Sequence, residues 1–136
     1  MNDAHAPNGV QVLLVEDNAI NQMVAVNVIE SIGLAVTVAS NGKEALDVLR
    51  KSNEGGWAFT LVIMDCQMPE MDGYEATKQI RQGKAGNENI NIPIIAMTAN
   101  AMQGDKEKCL QAGMSDFLTK PVDREKLVDK LAHWVK

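Results

Sequence analysis

The most informative stretch of this sequence is Leu61-Val62-Ile63-Met64-Asp65-Cys66-Gln67-Met68-Pro69-Glu70-Met71-Asp72-Gly73. It begins as an apolar run and continues into a segment that contains acidic residues, proline and glycine. The run Thr60–Met64 has the length and aliphatic content of a buried strand, and it stops at the carboxylate of Asp65. In open α/β sheets, ligands bind in the crevice beyond the carboxyl ends of the strands. The stretch therefore predicts a central strand that places an anionic oxygen at the ligand-binding edge of a sheet.

Three further apolar runs are followed closely by polar side chains. Glu16 and Asp17 follow Val12-Leu13-Leu14-Val15, Thr98 follows Ile94-Ile95-Ala96-Met97, and Lys120 lies just after Phe117-Leu118. Parallel strands bring their carboxyl ends to one edge of a sheet, so these groups are expected to meet near Asp65. Three carboxylates, a hydroxyl and an ammonium are the groups required to bind Mg²⁺ and a phosphoryl group.

Strand and helix patterns alternate along the chain. The predicted strands are Gln11–Glu16, Leu34–Ala39, Thr60–Met64, Ile94–Met97 and Phe117–Leu118. The predicted helices are Ala19–Ile32, Lys43–Ser52, Asp72–Gln82, Ala101–Ala112 and Asp123–Val135. Five strand–helix pairs predict an α/β fold of the doubly wound (βα)₅ type, flavodoxin-like, with a five-stranded parallel sheet covered on both faces.

Two segments carry expectations of their own. In the first helix, Ile20, Met23, Val24, Val28 and Ile32 recur at helical spacing. Because apolar residues lie around much of the circumference of this helix, some of them are expected to face solvent or a partner. Residues 83–91 are polar, rich in glycine and asparagine and without an apolar pattern, which predicts a loop.

Length and composition indicate a single domain. The chain has 136 residues, of which 1–9 are predicted to be a flexible segment or linker and 10–136 the domain. A net charge of −5 argues against nucleic-acid binding, and the absence of an apolar run of about 20 residues argues against membrane contact. Two cysteines without framework or metal spacing favour a reducing cytoplasm.

The chemistry of the acidic residues favours a metal ion. Glu16, Asp17 and Asp65 would repel one another without a cation, and Mg²⁺ prefers such hard oxygen ligands. An aspartate can act as a nucleophile and form an aspartyl phosphate. The metal, the ammonium of Lys120 and the hydroxyl of Thr98 would then neutralise or hydrogen-bond the phosphoryl oxygens.

Each residue also has a more ordinary explanation when taken alone. Glu16 and Asp17 suit the start of a helix, Thr98 could cap one, and Asp65 could be a turn residue. A second function is a small phosphatase-type hydrolase that forms an aspartyl phosphate, although Gln67 stands where such enzymes carry a second acid. A third is a flavodoxin-like cofactor binder, although its phosphate loop would here be acidic.

Together, residues 12–18, 64–73 and 98–101 and the pair Lys120-Pro121 resemble receiver domains of two-component response regulators. Segments 18–22, 98–102 and 109–120 are similar to receivers of hybrid sensor histidine kinases. The resemblance implies a domain that catalyses its own phosphorylation and dephosphorylation with Mg²⁺. It implies histidine kinases or histidine-containing phosphotransfer proteins as partners, and a location in the cytoplasm, including the cytoplasmic part of a membrane-bound sensor kinase.

The resemblance also assigns roles to individual residues. It implies Asp65 as phosphoacceptor, and Glu16, Asp17, Asp65 and the backbone carbonyl of Gln67 as metal ligands. Lys120 corresponds to the family's ammonium, with a cis bond to Pro121, and Thr98 and Phe117 correspond to the switch pair. Phosphotransfer partners are expected to dock on the start of the first helix, at Asn18, Ile20, Asn21 and Val24.

Overall fold

The computed structural model describes residues 10–68, 71–99, 103–120 and 122–135. Three predictions concern residues outside these ranges: the linker at residues 1–9, the cis bond before Pro121, and the first two residues of the fourth helix. The strands are β1 Gln11–Val15, β2 Ala35–Ala39, β3 Leu61–Asp65, β4 Ile94–Thr98 and β5 Asp116–Thr119. The α-helices are α1 Ala19–Ser31, α2 Gly42–Glu54, α3 Gly73–Arg81, α4 Gln103–Ala112 and α5 Arg124–Trp134.

The five strands form one parallel sheet in the order β2-β1-β3-β4-β5. Helices α1 and α5 pack on one face, where Ala25, Val28 and Ile29 share a core cluster with Leu127 and Leu131. The other face carries α2, α3 and Cys109 of α4 in a second cluster. This arrangement confirms the predicted (βα)₅ fold, and it places β3 at the centre of the sheet with its last residue, Asp65, at the carboxyl edge.

The expectation that some apolar side chains of α1 face away from the sheet is confirmed. The helix buries Ala25, Val28 and Ile29, so Val28 alone of the five positions at helical spacing is buried. The exposed fractions of the other four are high, at 70% for Ile20, 62% for Met23, 43% for Val24 and 37% for Ile32. Because α1 carries apolar side chains around most of its circumference, spacing could not identify the face that packs on the sheet.

The polar segment 83–91 contains a 3₁₀ helix, Asn87–Asn89, and is anchored in the core. Asn89 is buried, and its amide nitrogen donates to the Ala85 carbonyl at 2.8 Å and to the Asn53 side chain at 2.7 Å. Arg81 donates to the carbonyls of Ile90 and Ile92. The predicted loop is therefore confirmed, with one short 3₁₀ helix in it, and its hydrogen bonds to the core leave no apolar pattern in the sequence.

Candidate metal and phosphoryl site

Three carboxylates meet at the carboxyl edge of β1 and β3. The register pairs Val15 with Met64, so the next residues along the two strands, Glu16 and Asp65, lie side by side. One oxygen from each of Glu16, Asp17 and Asp65 lies within 4.8 Å of the others. Glu16 and Asp65 are buried whereas Asp17 is exposed, which leaves the cluster open to solvent on one side.

Lys120, just after β5, supplies a cation to the buried pair. Its Nζ lies 2.9 Å from Asp65 Oδ2 and 3.4 Å from Glu16 Oε1. Its backbone N–H donates to the Thr98 carbonyl at 2.8 Å, which ties the end of β5 to the end of β4. With all four groups ionised, three negative charges and one positive charge leave a formal charge of −2.

The electrostatics of this group are those of buried, interacting charges. Burial raises the pKa of Glu16; the hydrogen bond from the Asn18 N–H opposes this shift, and the neighbouring charge of Asp65 adds to it. Burial alone would lower the pKa of Lys120, but hydrogen bonding and charge from Asp65, with Glu16 adding to them, raise it overall. The ammonium of Lys120 is therefore charged across the physiological pH range.

The donor set fits a divalent cation. Within the described ranges, the buried atoms Glu16 Oε1 and Asp65 Oδ2 accept no well-formed hydrogen bond and have only the ion pair with Lys120. Buried carboxylate oxygens left in this state are costly unless a positive charge is nearby. Mg²⁺ is commonly bound by one or two carboxylates with waters completing the octahedron. Glu16, Asp17 and Asp65 match that requirement in atom type, spacing and charge.

The structure places the other predicted site residues at various distances from the cluster. The Gln67 N–H donates to Asp65 Oδ1 at 3.1 Å, while the role of its carbonyl as a metal ligand stays a prediction. Thr98 is buried at the end of β4, the strand paired with β3. Phe117 lies farther down β5; the pairs Ala96–Phe117 and Thr98–Thr119 place it on the same face of the sheet as Thr98.

Phe117 is half-buried between two lysines. The Nζ atoms of Lys106 on α4 and Lys130 on α5 lie 5.0 and 5.7 Å from the centre of its ring. Lys130 also pairs with Asp116 at 2.8 Å, and Trp134 donates its indole N–H to the same carboxylate at 3.0 Å. These bonds lower the pKa of Asp116, although burial alone would raise it. The ring of Phe117 thus lies close to charged side chains at the surface formed by α4, β5 and α5.

The residues predicted for partner docking lie at the start of α1, next to the acidic cluster. Asn18 caps the helix, and its Oδ1 accepts from the N–H groups of Ile20 and Asn21 at 2.9 and 3.0 Å. Ile20 and Val24 are exposed. A cavity of about 170 Å³ beside them is lined by Glu16, Asn21, Val24, Lys120 and Val122. An apolar patch and the charged site therefore adjoin on one surface.

Two residues that shape the site were missed by sequence reasoning. A Cβ added to Gly73 would lie 2.2 Å from the Asp65 carbonyl oxygen, so only glycine lets α3 begin against the end of β3. Gln22 donates its side-chain N–H to the Glu16 carbonyl at 2.6 Å and holds the acidic segment against α1. Gly73 could have been suspected from its place in the loop after Asp65, whereas no sequence signal marks Gln22.

The comparisons with known proteins concern nearly the whole chain. A family model described as the response regulator receiver domain matches residues 12–132. Histidine kinase 1 of Arabidopsis thaliana is 39% identical over 94% of this chain, and the sensor protein GacS of Pseudomonas syringae is 38% identical over 91%. The chain spans only 13% of the length of each of these two relatives.

Two solved structures similar to this chain are also receiver domains. The receiver domain of the sensor histidine kinase PA1611 from Pseudomonas aeruginosa, which has a magnesium ion in its active site cleft, is 42% identical with a TM-score of 0.80. The match covers 93% of this chain and 98% of that one. The receiver domain of Saccharomyces cerevisiae Ssk1, crystallised with the histidine phosphotransfer protein Ypd1, is 34% identical with a TM-score of 0.81 and coverage of 93% and 88%.

In the described part of the chain, no helix combines the length and the apolar character needed to cross a bilayer.

Proposed function

Because this chain belongs to the response regulator receiver domain family of two-component phosphorelay signalling, we propose that it accepts a phosphoryl group from a phosphohistidine protein on Asp65. The observation that carries the proposal is the cluster of Glu16, Asp17 and Asp65 with Lys120 ion-paired to the two buried acids. Asp65 is the central member, since it ends the middle strand and contacts the ammonium most closely.

The proposed reaction is a transfer between two side chains. A carboxylate oxygen of Asp65 attacks phosphorus, the bond from phosphorus to the partner's imidazole nitrogen breaks, and the imidazole leaves with its electron pair and takes up a proton. Glu16, Asp17, Asp65 and the Gln67 carbonyl would hold Mg²⁺, which supplies charge neutralisation for the phosphoryl oxygens. Lys120 then turns from the carboxylate to a phosphoryl oxygen, and the Thr98 hydroxyl donates to another.

No feature of the described structure supports the alternative of a phosphatase-type hydrolase. In that mechanism the residue two positions after the nucleophile acts as a general acid and base, and here it is Gln67, whose amide does not exchange protons near neutral pH. The family model that matches residues 12–132 instead describes a response regulator receiver domain.

Phosphorylation is proposed to add negative charge at Asp65 and thereby to shift the domain from one conformation to a second one. Thr98 moves toward the new oxygens, and Phe117, on the same face of the sheet, turns into the space that Thr98 leaves. That turn would take the ring away from Lys106 and Lys130 and reshape the surface of α4, β5 and α5. Phe117 has no hydroxyl, so its two positions would differ in packing and in contacts with the two ammonium groups.

The proposed partners are a histidine kinase or a histidine-containing phosphotransfer protein. The receiver of Ssk1 crystallised with a protein of the latter kind, and this chain shares its fold. Residues 10–136 are proposed to form one receiver domain, preceded by a linker, within a longer hybrid kinase located in the cytoplasm. The hybrid kinases among its relatives support this context.

The direct test is the mass of the intact protein after incubation with Mg²⁺ and acetyl phosphate. We expect a gain of one phosphoryl group that disappears on treatment with hydroxylamine, which cleaves acyl phosphates. Chelation of the metal should prevent the gain. An unchanged mass in the presence of Mg²⁺, or a hydroxylamine-resistant adduct, would contradict the proposed function.

Magnesium is expected to stabilise the native domain. A ligand that binds only the native state at ten times its Kd adds about 1.4 kcal/mol to the free energy of unfolding, which raises the Tm of a domain of this size by roughly 3–6 °C. Thermal melting with and without millimolar Mg²⁺ measures the effect.

The control for this prediction is Asp17→Asn, which removes one exposed acid from the cluster. Without metal it should melt at or above the wild-type temperature, because charge repulsion is relieved, yet its shift with Mg²⁺ should be much smaller. Asp129→Asn, an exposed acid on α5 outside the cluster, should keep the full shift. Equal shifts in all three proteins would place the metal elsewhere.

A further inference from the structure

The only two cysteines of the chain meet in the core although they lie 43 residues apart. The Sγ atoms of Cys66 and Cys109 are 4.0 Å apart, and the residues are 1% and 2% exposed. Neither residue takes part in the proposed phosphoryl transfer, which leaves the pair without an assigned role.

The two sulfurs belong to elements that are held with different strength. The Cys66 N–H donates to the Met97 carbonyl at 3.0 Å, and the Cys66 carbonyl accepts from the Gly73 N–H at 3.1 Å, so its backbone is fixed on both sides. Helix α4, by contrast, buries only Cys109 and Ala112 among its described side chains. Elements with few buried contacts open locally more often than the rest of a domain.

We propose that hydrogen peroxide converts Cys66 and Cys109 into an intramolecular disulfide that fastens α4 to the end of β3. Peroxide oxidises one thiol to a sulfenic acid and releases one water. The second thiol attacks that sulfur, forms the S–S bond and releases a second water. In sum, two thiols and one peroxide give one disulfide and two waters, with sulfur oxidised and the peroxide oxygens reduced.

The burial of both sulfurs determines the order of the oxidation steps. Peroxide cannot reach the sulfurs while α4 is packed, so the first oxidation requires α4 to lift from the sheet. When α4 packs again, the sulfenic acid returns to a position about 4 Å from the second thiol, which favours a bond within the chain over a bond between chains. A disulfide needs an S–S distance of about 2.0 Å, so the side chains must close the remaining gap.

The consequence is a restraint on α4, the helix that carries Lys106 beside Phe117. Once bonded to the fixed backbone of Cys66, α4 can no longer separate from the sheet. Transient disulfides of this kind in reducing compartments report oxidants. The inference goes beyond the proposed phosphoryl transfer, because it concerns a different pair of residues and a different reaction.

The test exposes the whole domain to millimolar hydrogen peroxide at neutral pH, then unfolds it in the presence of an alkylating reagent and measures the mass of the intact protein and of its peptides. Apart from oxygen added to methionines, we expect a monomer whose Cys66 and Cys109 peptides are linked with the loss of two hydrogen atoms, take no alkyl groups, and regain both thiols after reduction with dithiothreitol. Amide hydrogen exchange over residues 106–112 should be several-fold slower in the disulfide form than in the reduced form.

Four results would overturn the proposal. Full alkylation after peroxide treatment would show an inert packing pair. Oxygen found on Cys66 or Cys109 by peptide mapping, which separates it from oxygen on methionines, or disulfide-linked dimers would show that the sulfurs do not join within one chain. Unchanged exchange in the disulfide form would refute the restraint on α4. Cys109→Ala should gain oxygen on Cys66 without losing hydrogen, and the wild-type masses decide the question even if this variant fails to fold.

Discussion

Asp65→Asn is expected to abolish phosphorylation by acetyl phosphate and by a phosphohistidine protein alike. Asparagine keeps the shape of the side chain but has no anionic oxygen to attack phosphorus, so the rate should fall on the order of 10³-fold or more, as it does when an enzyme loses its nucleophile. The measurement is the rate of gain of one phosphoryl group by intact mass at fixed Mg²⁺.

The control for this prediction comes from the loop after β3. Asp72 caps α3, and its Oδ1 accepts from the Glu75 N–H at 2.9 Å. Asn is an equally good cap, so Asp72→Asn makes the same chemical change nearby without loss of structure and should phosphorylate at the wild-type rate. Circular dichroism should show both variants folded. Wild-type phosphorylation of a folded Asp65→Asn protein would show that another residue is the acceptor.

Ile20→Asp is expected to slow phosphoryl transfer from a protein donor while phosphorylation by a small donor continues. Ile20 is 70% exposed and lies in the first turn of α1, so an aspartate there removes no core contact and suits the positive end of the helix dipole. The domain should fold and accept phosphate from acetyl phosphate within about twofold of the wild-type rate. Transfer from a phosphohistidine protein should fall by roughly 100-fold, the scale of losing a central apolar contact in an interface.

The reason lies in the character of the surface. Residues 18–29 contain no charged side chain, and Ile20, Met23 and Val24 are exposed beside the acidic cluster. Since such a surface offers apolar contact area and no ion pairs, a partner would bind it by burying its own apolar side chains. An aspartate at the centre of that contact would be buried without a partner, which is costly.

Leu110→Asp provides the matched control. Leu110 is 62% exposed on α4, so the substitution has the same chemistry and similar exposure on another helix. It should leave transfer from the phosphohistidine protein intact. Ile20→Ala, which adds no charge near the metal site, should show a smaller loss in the same direction. Normal transfer to Ile20→Asp, or equal losses in Ile20→Asp and Leu110→Asp, would place the docking surface elsewhere.

The sequence by itself determined the architecture and the composition of the site. Alternating apolar runs and helical patterns are local properties, and they predicted all five strands and five helices within a few residues. Because parallel strands share one carboxyl edge, a residue's place at the end of its strand is enough to locate it. The meeting of Glu16, Asp17, Asp65 and Lys120 could therefore be predicted without coordinates.

Only the tertiary structure decided the contacts between side chains that do not lie at the carboxyl ends of strands. The buried face of α1 depends on how that helix rolls against the sheet, and a helix with apolar residues on most sides does not encode the choice. The anchoring of the loop by Asn89, the close approach of Gly73 to the Asp65 carbonyl and the pairing of Cys66 with Cys109 were likewise invisible. All three depend on contacts between elements that are separate in sequence, and such contacts leave no periodic pattern in either partner.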